Sequence, residues 1–143
     1  MKILEYDVAT DEARRIRTAV FVKEKEFRPE FDEWDEPRRA THLLAFDGDR
    51  AVATCRFFPD PEHADQPGRW VIARLAVVAD ERGHGVGKTM LAEAERRILA
   101  AGGAIAAVHA ENENFPMYEH FGYQVTDELF DDGEHGWMTK SLG

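Results

Sequence analysis

At 143 residues, 43% of them hydrophobic, the chain is the size of one domain that buries its own core, and 28 acidic against 18 basic side chains give it a formal charge of −10. Such a charge repels phosphate backbones, which excludes nucleic acid as an expected partner. The single cysteine, Cys55, leaves no internal disulfide and no cysteine-based metal cluster, and neither a charged-then-apolar leader nor a span-length apolar run is present.

A single domain over residues 1–143 is therefore expected, soluble and cytoplasmic, with no membrane partner. Only five of the basic residues are lysines, which fits adaptation to high salt as well as it fits an ordinary acidic cytosolic protein.

Residues 1–7 alternate as a first strand. Thr10 is placed to N-cap a helix in which Ala13, Ile16, Val20 and Phe21 recur at helical spacing, ending near Lys25. Residues 27–39, rich in Pro, Asp, Glu and aromatics, read as an irregular or partly helical segment, in which Phe31 and Trp34 either pack the loop down or line a pocket. Residues 41–46 and 51–58 are strands joined by Asp47-Gly48-Asp49-Arg50, a hairpin signal. Residues 59–68 read as a surface loop and 69–79 as a long strand. Val86, Met90, Leu91, Ala94, Ile98 and Leu99 form the apolar stripe of a helix that Gly102-Gly103 terminates.

Residues 104–110 return as a strand, and strand, helix and strand in this span make the two strands parallel neighbours. Asn114 is placed to cap a short helix, with Pro116 in its first turn and Gly122 at its stop. Residues 123–130 and 135–142 read as a closing hairpin around Asp131-Asp132-Gly133. The sum is a mixed α/β architecture with one central sheet.

Between the long strand and the long helix lies Arg82-Gly83-His84-Gly85-Val86-Gly87-Lys88-Thr89. Its three glycines let the backbone take positive φ and gather N–H groups beside a helix N-terminus, a place suited to phosphate. A nucleotide-triphosphatase loop needs glycine where Arg82 stands, and the dinucleotide pattern needs its third glycine at Lys88. The pattern that fits is R-x-x-G-x-G, which resembles the pyrophosphate-binding turn of the GNAT N-acetyltransferase superfamily. A second segment agrees: Tyr118, Gly122 and Tyr123 match that family's short helix, with Met117 in place of its first aromatic. Arg17-Thr18-Ala19-Val20-Phe21-Val22-Lys23-Glu24 further resembles the R-x-x-V-F-V-x-E segment of small single-domain acyltransferases in that superfamily.

The resemblance implies a GNAT-like fold, with a central mostly antiparallel sheet, a parallel pair splayed at the coenzyme site, and flanking helices. It implies acetyl-CoA as co-substrate, and direct transfer of its acetyl group to a primary amine of a small molecule or peptide. Backbone groups of Leu75, Ala76 and Val77 would pair with the pantetheine arm, one N–H stabilising the oxyanion. Arg82, Gly83, His84, Gly85, Val86, Gly87 and Lys88 would hold the pyrophosphate, with the Thr89 hydroxyl added. Tyr118 would be the general acid, since a phenol titrating near about 10 stays protonated.

Glu111 stands where the family more often has Asn or Gln, so Asn112 and Asn114 are candidates for the coenzyme hydrogen bond, and Glu111 is either the general base or a solvated carboxylate. His109 is the other candidate base. Glu24, Arg56, Arg74, His42 and His135 are further candidates, each with a core or surface role as its alternative. The six histidines show no H-E-x-x-H spacing, so no metal is expected. Cys55, in an apolar strand, is assigned to packing rather than to an acyl-enzyme. The same fold without transfer, as an acyl-CoA-binding or sensing module, is the alternative function, and the closing strands are the candidate homodimer surface.

Overall fold

The computed structural model describes residues 1–24 and 31–143. Seven strands, β1 (Lys2–Tyr6), β2 (Thr41–Asp47), β3 (Arg50–Pro59), β4 (Arg69–Val77), β5 (Ile105–Glu111), β6 (Gln124–Phe130) and β7 (His135–Ser141), bond in the order β1-β2-β3-β4-β5-β7-β6. The β1/β2, β2/β3, β5/β7 and β6/β7 pairs are antiparallel, and β4/β5 is parallel. The parallel register covers three pairs, Arg69↔Ile105 to Val71↔Ala107, while β4 continues to Val77 and β5 to Glu111. This is the mixed α/β arrangement that the alternating runs and the long helix predict.

By contacts the chain forms two compact units, residues 1–58 with 74–94 and residues 59–73 with 95–143. In the first, Thr10 caps α1 (Asp11–Arg17) by accepting from the Ala13 N–H, and the helix continues as a π-helical stretch, Thr18–Glu24. The expected helix end at Lys25 and residues 27–30 of the irregular segment lie outside the described residues. Ala13, Ile16 and Val20 meet Leu44, Ala51 and Ala76 in one apolar cluster. The α1 face and residues of β2, β3 and β4 thus build one core.

The remainder of residues 31–39 folds as a 3-10 turn, Glu33–Asp35, which the Asp32 carboxylate caps at the Trp34 N–H. Trp34 stacks on Phe58 at 3.9 Å and Phe31 lies beneath the guanidinium of Arg17, so both aromatics pack the segment down.

The helix α2 (Val86–Ala100) buries Val86, Met90, Leu91, Ala94 and Ile98. Leu99, expected on that stripe, is 49% exposed, because it falls one position past Ile98 and so turns about 100° off the buried face. In the second unit, Ala106, Val108 and Ala110 of β5 and Met138 of β7 form buried sheet positions, and Gly103 lies against Ile98 and Trp70. The short helix α3 (Phe115–His120) starts at Asn114 without a side-chain cap. A 3-10 turn, Asn112–Asn114, precedes it and leaves Asn114 with φ −97° and ψ −3°, whereas a capping residue needs extended backbone.

Candidate active site

In the first unit, β4 carries one left-handed residue, Arg74 at φ 54°, directly before Leu75, Ala76 and Val77. Such a residue interrupts the regular pleat, and backbone held this way recurs where a strand serves a ligand. Ala76 is buried in the apolar cluster, and half-buried Leu75 and Val77 alternate with it. After Val77 the chain makes a 3-10 turn, Ala79–Glu81, and the Arg82 Nε donates to the Val77 carbonyl at 3.0 Å.

The glycine turn follows. Gly83 and Gly85 take φ of 83° and 79°, and a Cβ on either would meet nothing within 4 Å, so backbone conformation rather than space calls for glycine there. Gly87 does not share that role: it sits in the first turn of α2, where a Cβ would lie 3.7 Å from Val77. Thr89 is engaged at the head of the helix. Its hydroxyl and its N–H both donate to the Gly85 carbonyl at 3.0 Å, so the hydroxyl proton is engaged in closing the first helical turn.

From Gly83 to Lys88, no backbone N–H makes a short, well-aligned hydrogen bond to a backbone carbonyl among the described residues. Six amides at the head of a 15-residue helix, exposed at Gly83, His84, Gly85 and Lys88, form a concentrated set of donors where the helix dipole favours an anion.

In the second unit, exposed Glu111 ends β5. Exposed Asn112 uses its backbone N–H on the Glu134 carbonyl at 2.8 Å, and Asn114 is half-buried. Tyr118, half-buried on α3, sets its ring edge-on to Tyr123 at 5.7 Å. His109 points its Nε2 at the Nδ1 of His135, 2.7 Å away, and the His135 Nε2 lies 2.8 Å from Asp131. Leu75 to Thr89 therefore belong to one unit and Glu111 to Tyr118 to the other.

The profile of the Acetyltransferase (GNAT) family matches residues 7–123. The chain belongs to that family. A Bacillus subtilis acetyltransferase is 30% identical over 141 residues, spanning 95% of this chain and 90% of its own. The crystal structure of an N-acetyltransferase from Lactobacillus plantarum matches with a TM-score of 0.84 at 28% identity, over 99% of this chain and 98% of that one. An aminoglycoside 6'-N-acetyltransferase solved with coenzyme A shares the fold at 15% identity, with a TM-score of 0.77 over 100% and 98% of the two chains.

Other candidates find structural roles in this GNAT protein. Arg56 is 3% exposed and bonds both Asp32 and Asp35, and Arg17 bonds Asp35 through both of its terminal nitrogens. Burial alone would raise the Asp35 carboxyl, but hydrogen bonds from Arg17 and the Asp32 backbone, with the charges of Arg17 and Arg56, hold it at about 2. His42, 1% exposed, sets its Nε2 3.1 Å from the Trp34 carbonyl, and burial lowers its pKa. Cys55 is 1% exposed on β3. The Glu24 side chain lies outside the described residues.

Residues 59–68 are more than the surface loop expected from their prolines. Asp60 and His63 are each 8% exposed, with the His63 Nδ1 2.7 Å from Asp60 and its Nε2 2.8 Å from Glu128 on β6. Arg69 donates through Nε to Asp60 at 2.9 Å and lies over Trp137. The only sequence signal for this cluster was an Asp-x-x-His spacing inside a Pro-rich loop, and its partners on β4 and β6 carry no local mark. Burial alone would lower His63, yet the Glu128 hydrogen bond and the Asp60 charge outweigh it and raise its pKa.

Proposed function

We propose that the protein is an acetyl-CoA-dependent N-acetyltransferase that passes the acetyl group directly to a primary amine of a small molecule or peptide. The observation that carries this reading is the exposed Gly83–Gly85 turn leading into the N-terminus of α2, where no amide from Gly83 to Lys88 makes a well-aligned bond to a backbone carbonyl among the described residues, in a chain of the GNAT family. Those amides, with Arg82 and Lys88, are proposed to hold the coenzyme's pyrophosphate. Leu75, Ala76 and Val77 would offer backbone groups to the pantetheine arm and the oxyanion, next to the interruption at Arg74.

Asn112 and Asn114 are proposed as further coenzyme contacts, Tyr118 as the proton donor to the departing thiolate, and Glu111 as the carboxylate that engages the acceptor amine. Residues 1–143 would act as one acetyltransferase domain. Exposed Val125, Leu129 and Phe130 on the edge strand β6 support a homodimer through the closing hairpin. A cytoplasmic setting belongs to the same proposal, and among the described residues no helix is long and apolar enough to cross a membrane.

Calorimetric titration tests the reading. Acetyl-CoA should bind with micromolar affinity, about −8 kcal/mol, and Gly85→Glu should abolish binding by adding a strained φ and a negative charge. Thiol release with a panel of butylamine, spermidine and a lysine-containing tripeptide should then fall about 10²-fold or more in Tyr118→Phe, with coenzyme affinity unchanged. No binding of acetyl-CoA by the wild type refutes the proposal.

A further inference from the structure

We propose that His109 is the base that takes the acceptor's proton, at its Nδ1, and that His135 and Asp131 position it through two consecutive hydrogen bonds. The inference rests on the acetyltransfer reading and assigns the proton step within it.

The β5/β7 register pairs His109 with Trp137 and Glu111 with His135, which sets His109 and His135 diagonally on one face. The β6/β7 register adds Phe130 opposite His135. The Phe130 ring stacks with both imidazoles, at 5.6 Å from His109 and 5.5 Å from His135, and Trp137 lies 4.9 Å from His109. Two aromatic rings thus hold the imidazole pair in place. Asp131 follows Phe130 with φ 52°, and its carboxylate meets the His135 Nε2 at 2.8 Å.

The proton positions follow from the chain of contacts. A carboxylate only accepts, so the His135 Nε2 carries hydrogen and donates to Asp131. A neutral imidazole has one N–H, which leaves the His135 Nδ1 as a lone pair. The 2.7 Å contact then requires the His109 Nε2 to be the donor. By the same count the His109 Nδ1 is a lone pair, and no hydrogen bond is made to it among the described residues. It is the one nitrogen of the pair left to accept a proton.

In the step, an N–H bond of the acceptor ammonium breaks and an N–H bond forms at the His109 Nδ1. The amine keeps the electron pair that attacks the thioester carbonyl, and His109 becomes an imidazolium. Its charge is stabilised through His135 toward Asp131, and the proton leaves the Nδ1 to water after the amide product departs. Partial burial, and a charge on His135 whenever that ring is protonated, lower the His109 pKa, against Glu111 on its own strand, Glu62 in the 59–68 loop and Glu128 on β6. The imidazole is thereby neutral and ready near pH 7, and the same carboxylates favour the approach of a cationic amine.

Two readouts test the relay. In the ligand-free protein, nitrogen-15 NMR of the histidines should find both His109 and His135, in their neutral forms, protonated at Nε2. Protonation of the neutral His109 at Nδ1 overturns the proposal without reference to activity. In turnover with the fastest amine of the panel, His109→Gln should lower kcat about 10²-fold or more with acetyl-CoA affinity unchanged. Asp131→Asn should lower kcat by roughly tenfold and move the acidic limb of kcat/KM to lower pH, because loss of the carboxylate destabilises the imidazolium. Wild-type rate and an unmoved limb in His109→Gln overturn the relay. A wild type that fails to bind acetyl-CoA refutes the acetyltransfer reading instead, and the NMR arm then decides the relay alone.

Discussion

Asp35 sits 1% exposed between two guanidinium groups, and removing its charge would leave Arg17 and Arg56 as buried cations. Asp35→Asn should therefore destabilise the protein by about 3–5 kcal/mol in urea unfolding, as broken buried pairs do. The sign with pH follows from the depressed carboxyl. Its contribution is full above the unfolded value of 3.8 and is lost as pH falls through about 2. The sequence showed that Trp34 and Phe31 could pack the segment down, but not that Arg56 would be held there. Its partners lie 21 and 24 residues away, and no helical or strand period links them.

Elements were the most legible level. Apolar and alternating runs located every strand, and strand boundaries moved by no more than two residues, as frayed ends do. The β2/β3 turn tightened to Gly48 and Asp49, since ladder pairing continues to Asp47↔Arg50. The glycine turn was legible because phosphate-type geometry leaves a pattern in the chain, whereas the use of the Thr89 hydroxyl within α2 does not. Gly103, read only as a helix terminator, is also a packing position. A Cβ there would press on Ile98 and come within 2.8 Å of Trp70. Gly103→Ala should cost about 1–3 kcal/mol, read as a lower urea midpoint at unchanged m-value.

Across the whole molecule, two buried histidines should bend the pH dependence of stability in opposite directions. His63 has a folded pKa raised above 6.5, so its contribution is full below that value and is lost as pH rises through the folded pKa. His42 has a folded pKa below 6.5, so its contribution is full above that value and erodes as pH falls beneath it. Urea unfolding of His63→Gln should thus show a larger deficit against wild type at pH 5.5 than at pH 8, and His42→Gln the reverse. Equal deficits at both pH values would contradict the assigned shifts. Composition forecast the acidic surface but not this balance, because both shifts come from contacts that the fold alone creates.

The burial of Cys55 in β3 has a practical consequence. A chromogenic disulfide reagent added to the native protein meets a sole sulfhydryl that it reaches only when the sheet opens. Colour that develops promptly during turnover therefore counts released coenzyme, while the slow background measures how often β3 comes apart.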